Sequence, residues 1–351
     1  MTASKRMSKI APTNLFSVSK IFSGSVVETL KSLPRYWNHF WFEPQSVLPI
    51  CIFRIIFGAI MIVSFLVQFR RDFLLFYGVN SIIPASSVDV YQWLRLPVFD
   101  LFLVLPADDN VRFGFLYFSA FIAFLVMIGF ATRITTIILF LCYLSICNHA
   151  DIILMAGDNF ARLIALFLCF SPCGERVSVD TLMKRKSSVV LFPPYAQRMI
   201  QVQLCLIYLV NVSWKVAGPQ WRDGSAVYHA TRLLDYTRLA IPAFLDVPIV
   251  SIMCTYSTLI LEFAFVFLLW SSNKKLRYIM IALAMCFHLG LDYSFSLGVF
   301  EWYFIASLLL FIDPNDVETI FQKVIGKTRK RLVGPFGNDA LSSRIPTSER
   351  S

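Results

Sequence analysis

Charge is scarce in this chain: 15% of its 351 residues are Asp, Glu, Lys or Arg, against about 25% in soluble globular domains. Together with 57% hydrophobic residues, 34 Phe and a mean hydropathy of +0.66, that shortage excludes a water-soluble fold, which could not hide so much apolar surface. Paired cysteines are missing too. The eight cysteines form no CxxC pair and no evenly spaced set, so neither a disulfide framework nor a zinc or other metal site is expected, and buried thiols acting as small hydrophobes remain. The first 48 residues hold Lys5, Arg6, Lys9, Lys20, Lys31 and Arg35 without a compact apolar stretch, so no cleavable signal peptide is expected. No repeat relates the two halves and no charge-lined path is evident, which argues against a transporter or channel. The net charge of +10 is spread between hydrophobic runs, not gathered for nucleic acid, and no nucleic-acid partner is expected.

What the chain does have is a series of long apolar runs, each near the roughly 20 residues that cross a bilayer. Eight are expected to span: Pro49–Phe69, Phe113–Phe130, Ile134–Cys147, Phe160–Ser171, Met199–Trp214, Val247–Trp270, Tyr278–Asp292 and Ser296–Phe311. The third and fourth are short and are expected to extend into Asn148–Asn159, or else to re-enter without crossing. The fold class expected is all-α, a polytopic transmembrane helical bundle. With the N-terminus inside, 21 of the 32 Lys and Arg fall in inside segments, eight in outside segments and three at the spans, which sets both termini in the cytoplasm.

The organisation expected is a basic cytoplasmic segment (1–48), a membrane domain (49–313) and a basic cytoplasmic tail (314–351), largely disordered and Ser- and Gly-rich beyond Arg331. Within the first segment, Leu15–Leu33 mixes polar and apolar positions and fits either a surface-lying amphipathic helix or a plain polar tail. Outside, Arg70–Arg112 contains Tyr77-Gly78, Pro84, Trp93, Pro97 and the apolar run Val98–Leu105, the pattern of a folded cap with a short interfacial helix. The segment Lys215–Asp246 is likewise amphipathic, with Trp221, Tyr228, His229 and Tyr236.

Ionisable residues at membrane depth are costly, so each is a candidate site. Arg54, five residues into the first span, reads as snorkelling to the headgroups. Asp158 and Arg162, four apart on one helical face, are expected to pair. Glu262, His288, Asn211 and Glu301 read individually as partners in interhelical hydrogen bonds. His149, Asp158, Lys215 and Asp292 map together to outer span ends, with Trp221 and His229 just beyond. Lys215 has two readings: an interfacial anchor beside Trp214 and Trp221, or a desolvated lysine usable as a base.

Several stretches then resemble a known family: Phe53-Arg54-Ile55-Ile56-Phe57-Gly58; Tyr77-Gly78 with Ile83-Pro84; Asn148-His149, Gly157-Asp158 and Ser178-Val179-Asp180; Gln203, Ile207-Tyr208, Lys215, Gly218, Trp221, Gly224 and Tyr228; and His288-Leu289-Gly290 with Phe300-Glu301-Trp302. In order and topology they resemble the HTTM (horizontally transferred transmembrane) proteins, relatives of the vitamin K-dependent gamma-carboxylases, over about residues 45–314. The resemblance implies Lys215 as the base that deprotonates reduced vitamin K, with the spacing to tryptophan changed by one residue, and His149 as its helper. The carboxylases carry a large lumenal domain after their helices, whereas only about forty residues follow the last span here. Smaller bacterial members, including the membrane partner that matures a secreted sporulation-delaying toxin, are nearer in size.

The expected function is therefore a membrane scaffold or maturation factor with an outward-facing pocket, taking a lipid, a quinone or a secreted peptide from the bilayer surface. The alternative is a quinone-linked enzyme with Lys215 as base and a reduced quinone such as vitamin K hydroquinone as cofactor. The location is a plasma or inner membrane if the chain is bacterial, and the endoplasmic reticulum if it is eukaryotic.

Overall fold

The computed structural model describes residues 32–83, 99–184, 190–233, 235–239 and 242–333, with side chains to residue 324. Leu15–Lys31, Pro84, Trp93, Pro97, Arg185, Lys186 and the tail beyond 333 lie outside the described residues, and so do the expectations placed on them.

Among the described residues the molecule is a helical bundle with one two-residue strand pair, β1 (Gln45–Ser46) against β2 (Leu191–Phe192). Six helices are long and apolar enough to cross a membrane. They are α2 (Leu48–Val63, continued as a π-helical turn, Ser64–Phe69), α4 (Asp109–Ile128), α5 (Thr132–His149), α8 (Tyr195–Ala217), α11 (Pro248–Leu268) and α12 (Lys274–Ser294). Two shorter helices overlap the other two apolar runs. The first, α6 (Ala156–Cys169), has 14 residues, about 21 Å at a rise of about 1.5 Å each. The second, α13 (Phe300–Leu308), runs into a 3-10 turn (Leu309–Phe311). Both fall short of the roughly 30 Å hydrocarbon layer.

Local chemistry marks the ends. Asp108 accepts from Asn110 N–H to open α4, and Asn273 accepts from Lys275 and Leu276 N–H to open α12. Gly129 closes α4 in the left-handed region at φ +72°, with Phe130 N–H bonded back to Leu125 O. Close packing also needs a glycine: a Cβ on Gly58 of α2 would lie 2.8 Å from Met127 Cα of α4.

Contacts sort the connections into two ends. At one end the turn after α4, the loop after α6, the turn after α11 and the start of α14 (Pro314–Val333) gather around the N-terminus of α2; Arg176 there meets Glu318, and Gln197 donates to Leu310 O. At the other end His149 meets Asp100 and Tyr77, and Arg238 meets Asp292. The expected short helix near Val98–Leu105 is a 3-10 turn, Leu101–Leu103, with Phe102 buried beneath it. The expected amphipathic outer segment contains α9 (Pro219–Arg222), α10 (Ala226–Ala230) and a 3-10 turn (Ala243–Asp246). The first twenty residues of the C-terminal segment are helix α14, docked through Glu318 and the buried Val317, and the disorder expected beyond Arg331 falls almost wholly outside the described residues.

Candidate functional site

Four helices converge on one buried polar cluster. Tyr208 and Lys215 lie seven residues, two turns, apart on α8 and so share a face. The Tyr208 hydroxyl is 2.6 Å from His288 Nε2 on α12, and His288 Nδ1 is 2.5 Å from Glu301 Oε2 on α13. Glu301 is 0% exposed. Two turns along α8, Lys215 Nζ donates to Glu262 Oε1 of α11 at 2.5 Å and sits 4.8 Å from the centre of the Trp221 ring. Each carboxylate is half-used: among the described residues Glu262 Oε2 and Glu301 Oε1 have no partner. In a medium without water such groups are tolerated where they hold helices together.

A second cluster lies at the end of α5. His149 Nδ1 is 2.8 Å from Asp100 Oδ2, while Asp100 Oδ1 accepts from Ser145 Oγ and Phe102 N–H. The imidazole is 3% exposed, stacks on Tyr77 at 5.5 Å and meets Phe102 at 4.7 Å. Among the described residues its Nε2 has no partner. An Asp–His contact of this kind fixes the orientation of the ring.

Asp158 and Arg162 do not pair. Asp158 is the third residue of α6, and its carboxylate accepts from Met155 N–H at 2.9 Å, closing the helix N-terminus. It also accepts from Tyr143 Oη at 3.1 Å and Gln68 Nε2 at 3.2 Å. Gln68 reaches it from the π-helical turn that ends the first span, and its carbonyl oxygen accepts from Val299 N–H. Arg162 turns instead to Asn148 and Asn159. The cap requirement of α6 overrides the four-residue spacing that suggested a pair.

Arg54 does not snorkel. It is 0% exposed, and its guanidinium donates to Val177 O at 2.6 Å, Cys173 O at 3.0 Å and Met127 O at 3.5 Å. A planar fork of donors suits several converging carbonyls, which a lone ammonium would not serve as well. A Cβ on Gly129 would come within 2.3 Å of Arg54 Nη1, so the glycine that ends α4 also makes room for the arginine. Beside it, Ser178 caps the short helix α7 (Val179–Met183), and Asp180 accepts from Ala131 N–H, Thr132 N–H and the Thr132 hydroxyl, capping α5 from a distance. Burial alone would raise the Asp180 pKa. The hydrogen bonds from Thr132 and Ala131 and the charge of Lys184 outweigh burial and hold it below the usual carboxylate value.

The sequence candidates therefore fall into separate groups. Lys215, Trp221, Glu262 and His288 belong to the α8–α11–α12–α13 assembly. His149 belongs with Asp100 and Tyr77, and no contact partner of His149 is shared with Lys215. His229 is exposed on α10 and meets only the edge of Tyr228 among rings. Sequence reasoning missed Asp100, which sits in an irregular connection with no periodicity to flag it, and gave Tyr208 no polar role.

A cleft of about 560 Å³ opens at the same end as these clusters, lined by Val67, Gln68, Phe76, Tyr77, Arg238 and Trp302 among others. Its size lies in the range of small-molecule sites, about 300–1,000 Å³. A ring-sized amphipathic ligand such as a quinone fits it by volume, but neither Lys215 nor His149 lines it. The chemistry that the resemblance implies for those two residues does not fit this cleft.

These features define an integral membrane protein: an α-helical bundle whose interior polar groups are bonded helix to helix. Residues 42–315 match the HTTM domain, and the chain belongs to that family. No curated protein and no solved structure matches it.

Proposed function

We propose that this protein is a multi-pass membrane scaffold or maturation factor that takes an amphipathic ligand, a lipid or a segment of a secreted peptide, into its outer cleft. In this reading the chain passes the membrane eight times with both termini in the cytoplasm. The two short helices count as passes because every connection returns the chain to the opposite end, and the bilayer thins locally to meet them.

The observation that carries the reading is the contrast between the cleft and the ionisable residues. The cleft has apolar walls and a polar edge, the composition of a binding site. Lys215 is paired with Glu262, and His288 with Glu301. A lysine whose ammonium donates to a buried carboxylate is a fastening between helices, not a base awaiting a substrate. The test is mass spectrometry of the protein purified in mild detergent, set beside Val67→Trp, which fills the cleft. A small molecule or peptide held by the wild type and lost from the variant supports the reading. Equal retention by both contradicts it.

A second reading is the quinone-linked enzyme. One observation favours it: His149 is oriented by Asp100, and its Nε2 has no partner among the described residues.

A further inference from the structure

The opposite end of the bundle holds a second cleft, of about 530 Å³, between the N-termini of α8 and α12 and beneath α1 (residues 32–42). Two arginines line it, Arg198 and Arg277, each the fourth residue of its helix. Both therefore stand in a first turn, where the helix dipole already presents partial positive charge and cations are disfavoured. Two guanidinium groups facing one hollow at two helix N-termini make an arrangement that an anion would complete.

Arg198 is held in place without a carboxylate partner among the described residues, and Arg277 shares one. Gln201 donates its amide to Leu310 O at 2.7 Å, which turns its carbonyl oxygen to accept from Arg198 Nη1 at 3.1 Å. The Arg198 guanidinium lies 4.8 Å from the centre of the Phe40 ring and 5.7 Å from that of Trp270, a setting that fixes its plane. Among the described residues no carboxylate lies within ion-pair distance of Arg198. Arg277 reaches Asp313 at 3.5 Å, but Lys274 holds that carboxylate closer, at 3.0 Å. Among the described residues the Nε–H groups of both arginines are buried without an acceptor. A fork of parallel N–H donors matches the oxygens of a phosphate.

We infer that this cleft is a phosphate-binding site, in which Arg198 and Arg277 jointly clasp one phosphate group. Its level fits a lipid headgroup: α1 puts Tyr36, Trp37 and Phe42 on the surface beside it, and exposed aromatics mark the membrane interface. Free phosphate offers the same chemistry, and the test distinguishes the two.

The experiment uses the full chain in detergent, with thermal stabilisation and native mass spectrometry as readouts. Dioleoyl phosphatidylglycerol, inorganic phosphate and dioleoylglycerol, which lacks phosphate, are titrated into wild type, Arg198→Gln, Arg277→Gln and the double variant. Binding of phosphatidylglycerol but not inorganic phosphate assigns the site to a headgroup; saturable binding of inorganic phosphate assigns it to the free ion. In either case each single change weakens binding about tenfold and the double change more. If the double variant loses its helical circular dichroism, Arg277→Gln alone carries the test. The inference is overturned if the variants bind as tightly as wild type, if dioleoylglycerol binds as well as phosphatidylglycerol, or if neither phosphate probe binds.

Discussion

His288 Nδ1 lies 2.5 Å from Glu301 Oε2, and this contact ties α13 to α12 inside the bundle. The other imidazole nitrogen is taken by Tyr208, so removing the carboxylate strands a buried polar ring. Glu301→Leu is expected to cost about 1–3 kcal/mol of stability. Glu301→Gln, which keeps an oxygen and an amide in place, costs less. Thermal unfolding of detergent-purified protein checks the order, wild type above Gln above Leu. A Leu variant as stable as wild type would remove the contact from the account.

Asp158 and Arg162 are expected to behave independently, because each is bonded to other residues. In a double-mutant cycle with Asp158→Asn and Arg162→Gln, the coupling should stay below about 1 kcal/mol, where a buried ion pair would give several. A coupling of several kcal/mol, with the double change recovering the loss, would restore the pair that their spacing suggests.

The Asp180 carboxylate caps α5 through three hydrogen bonds, and its pKa is held below the ordinary value of 3.8. A depressed folded-state pKa gives stability that is full above the unfolded value and lost as pH falls through the folded one. Asp180→Asn should therefore be less stable than wild type near pH 7, by about 1 kcal/mol after allowance for its solvent exposure. The gap should close as the pH drops below about 4. Denaturation curves of both proteins across pH 3–7 decide this; a constant gap would show that Asp180 acts by shape and not by charge.

Topology is open to cysteine labelling in a background without native cysteines. With both termini inside and eight passes, cysteine at Leu182 or Gln322 reacts from the cytoplasmic side and cysteine at Asp223 from the outside. Leu182 is well exposed beyond α6, and Gln322 lies on α14. Labelling of the Leu182 position from outside contradicts the proposed arrangement.

The spans were legible because an apolar run is local information: the Pro49–Phe69 run reappears as Leu48–Phe69. What escaped is long-range. Arg54 reads as a snorkelling cation until the loop carbonyls of Cys173 and Val177, some 120 residues onward, close around it. Asp158 and Arg162 have the spacing of a pair, but the sequence does not reveal that a π-helical turn delivers Gln68 to the same carboxylate. Asp100 sits in a connection without periodicity, so nothing marked it as the partner of His149. Lys215, Glu262 and His288 were each visible as costly residues at membrane depth. Their order on separate helices did not say that lysine and glutamate meet.

That meeting is what the functional reading rests on, and Lys215→Arg tests it most directly. Arginine keeps the positive charge, the donors for Glu262 and the contact with the Trp221 ring, but cannot give up its proton at any accessible pH. The measurement is restoration of the function lost on deleting the gene, per unit of folded protein in the membrane. If Lys215 fastens α8 to α11, the arginine variant restores function at close to the wild-type level. If the variant folds, reaches the membrane in normal amount and restores nothing, Lys215 acts as a base and the scaffold account is wrong.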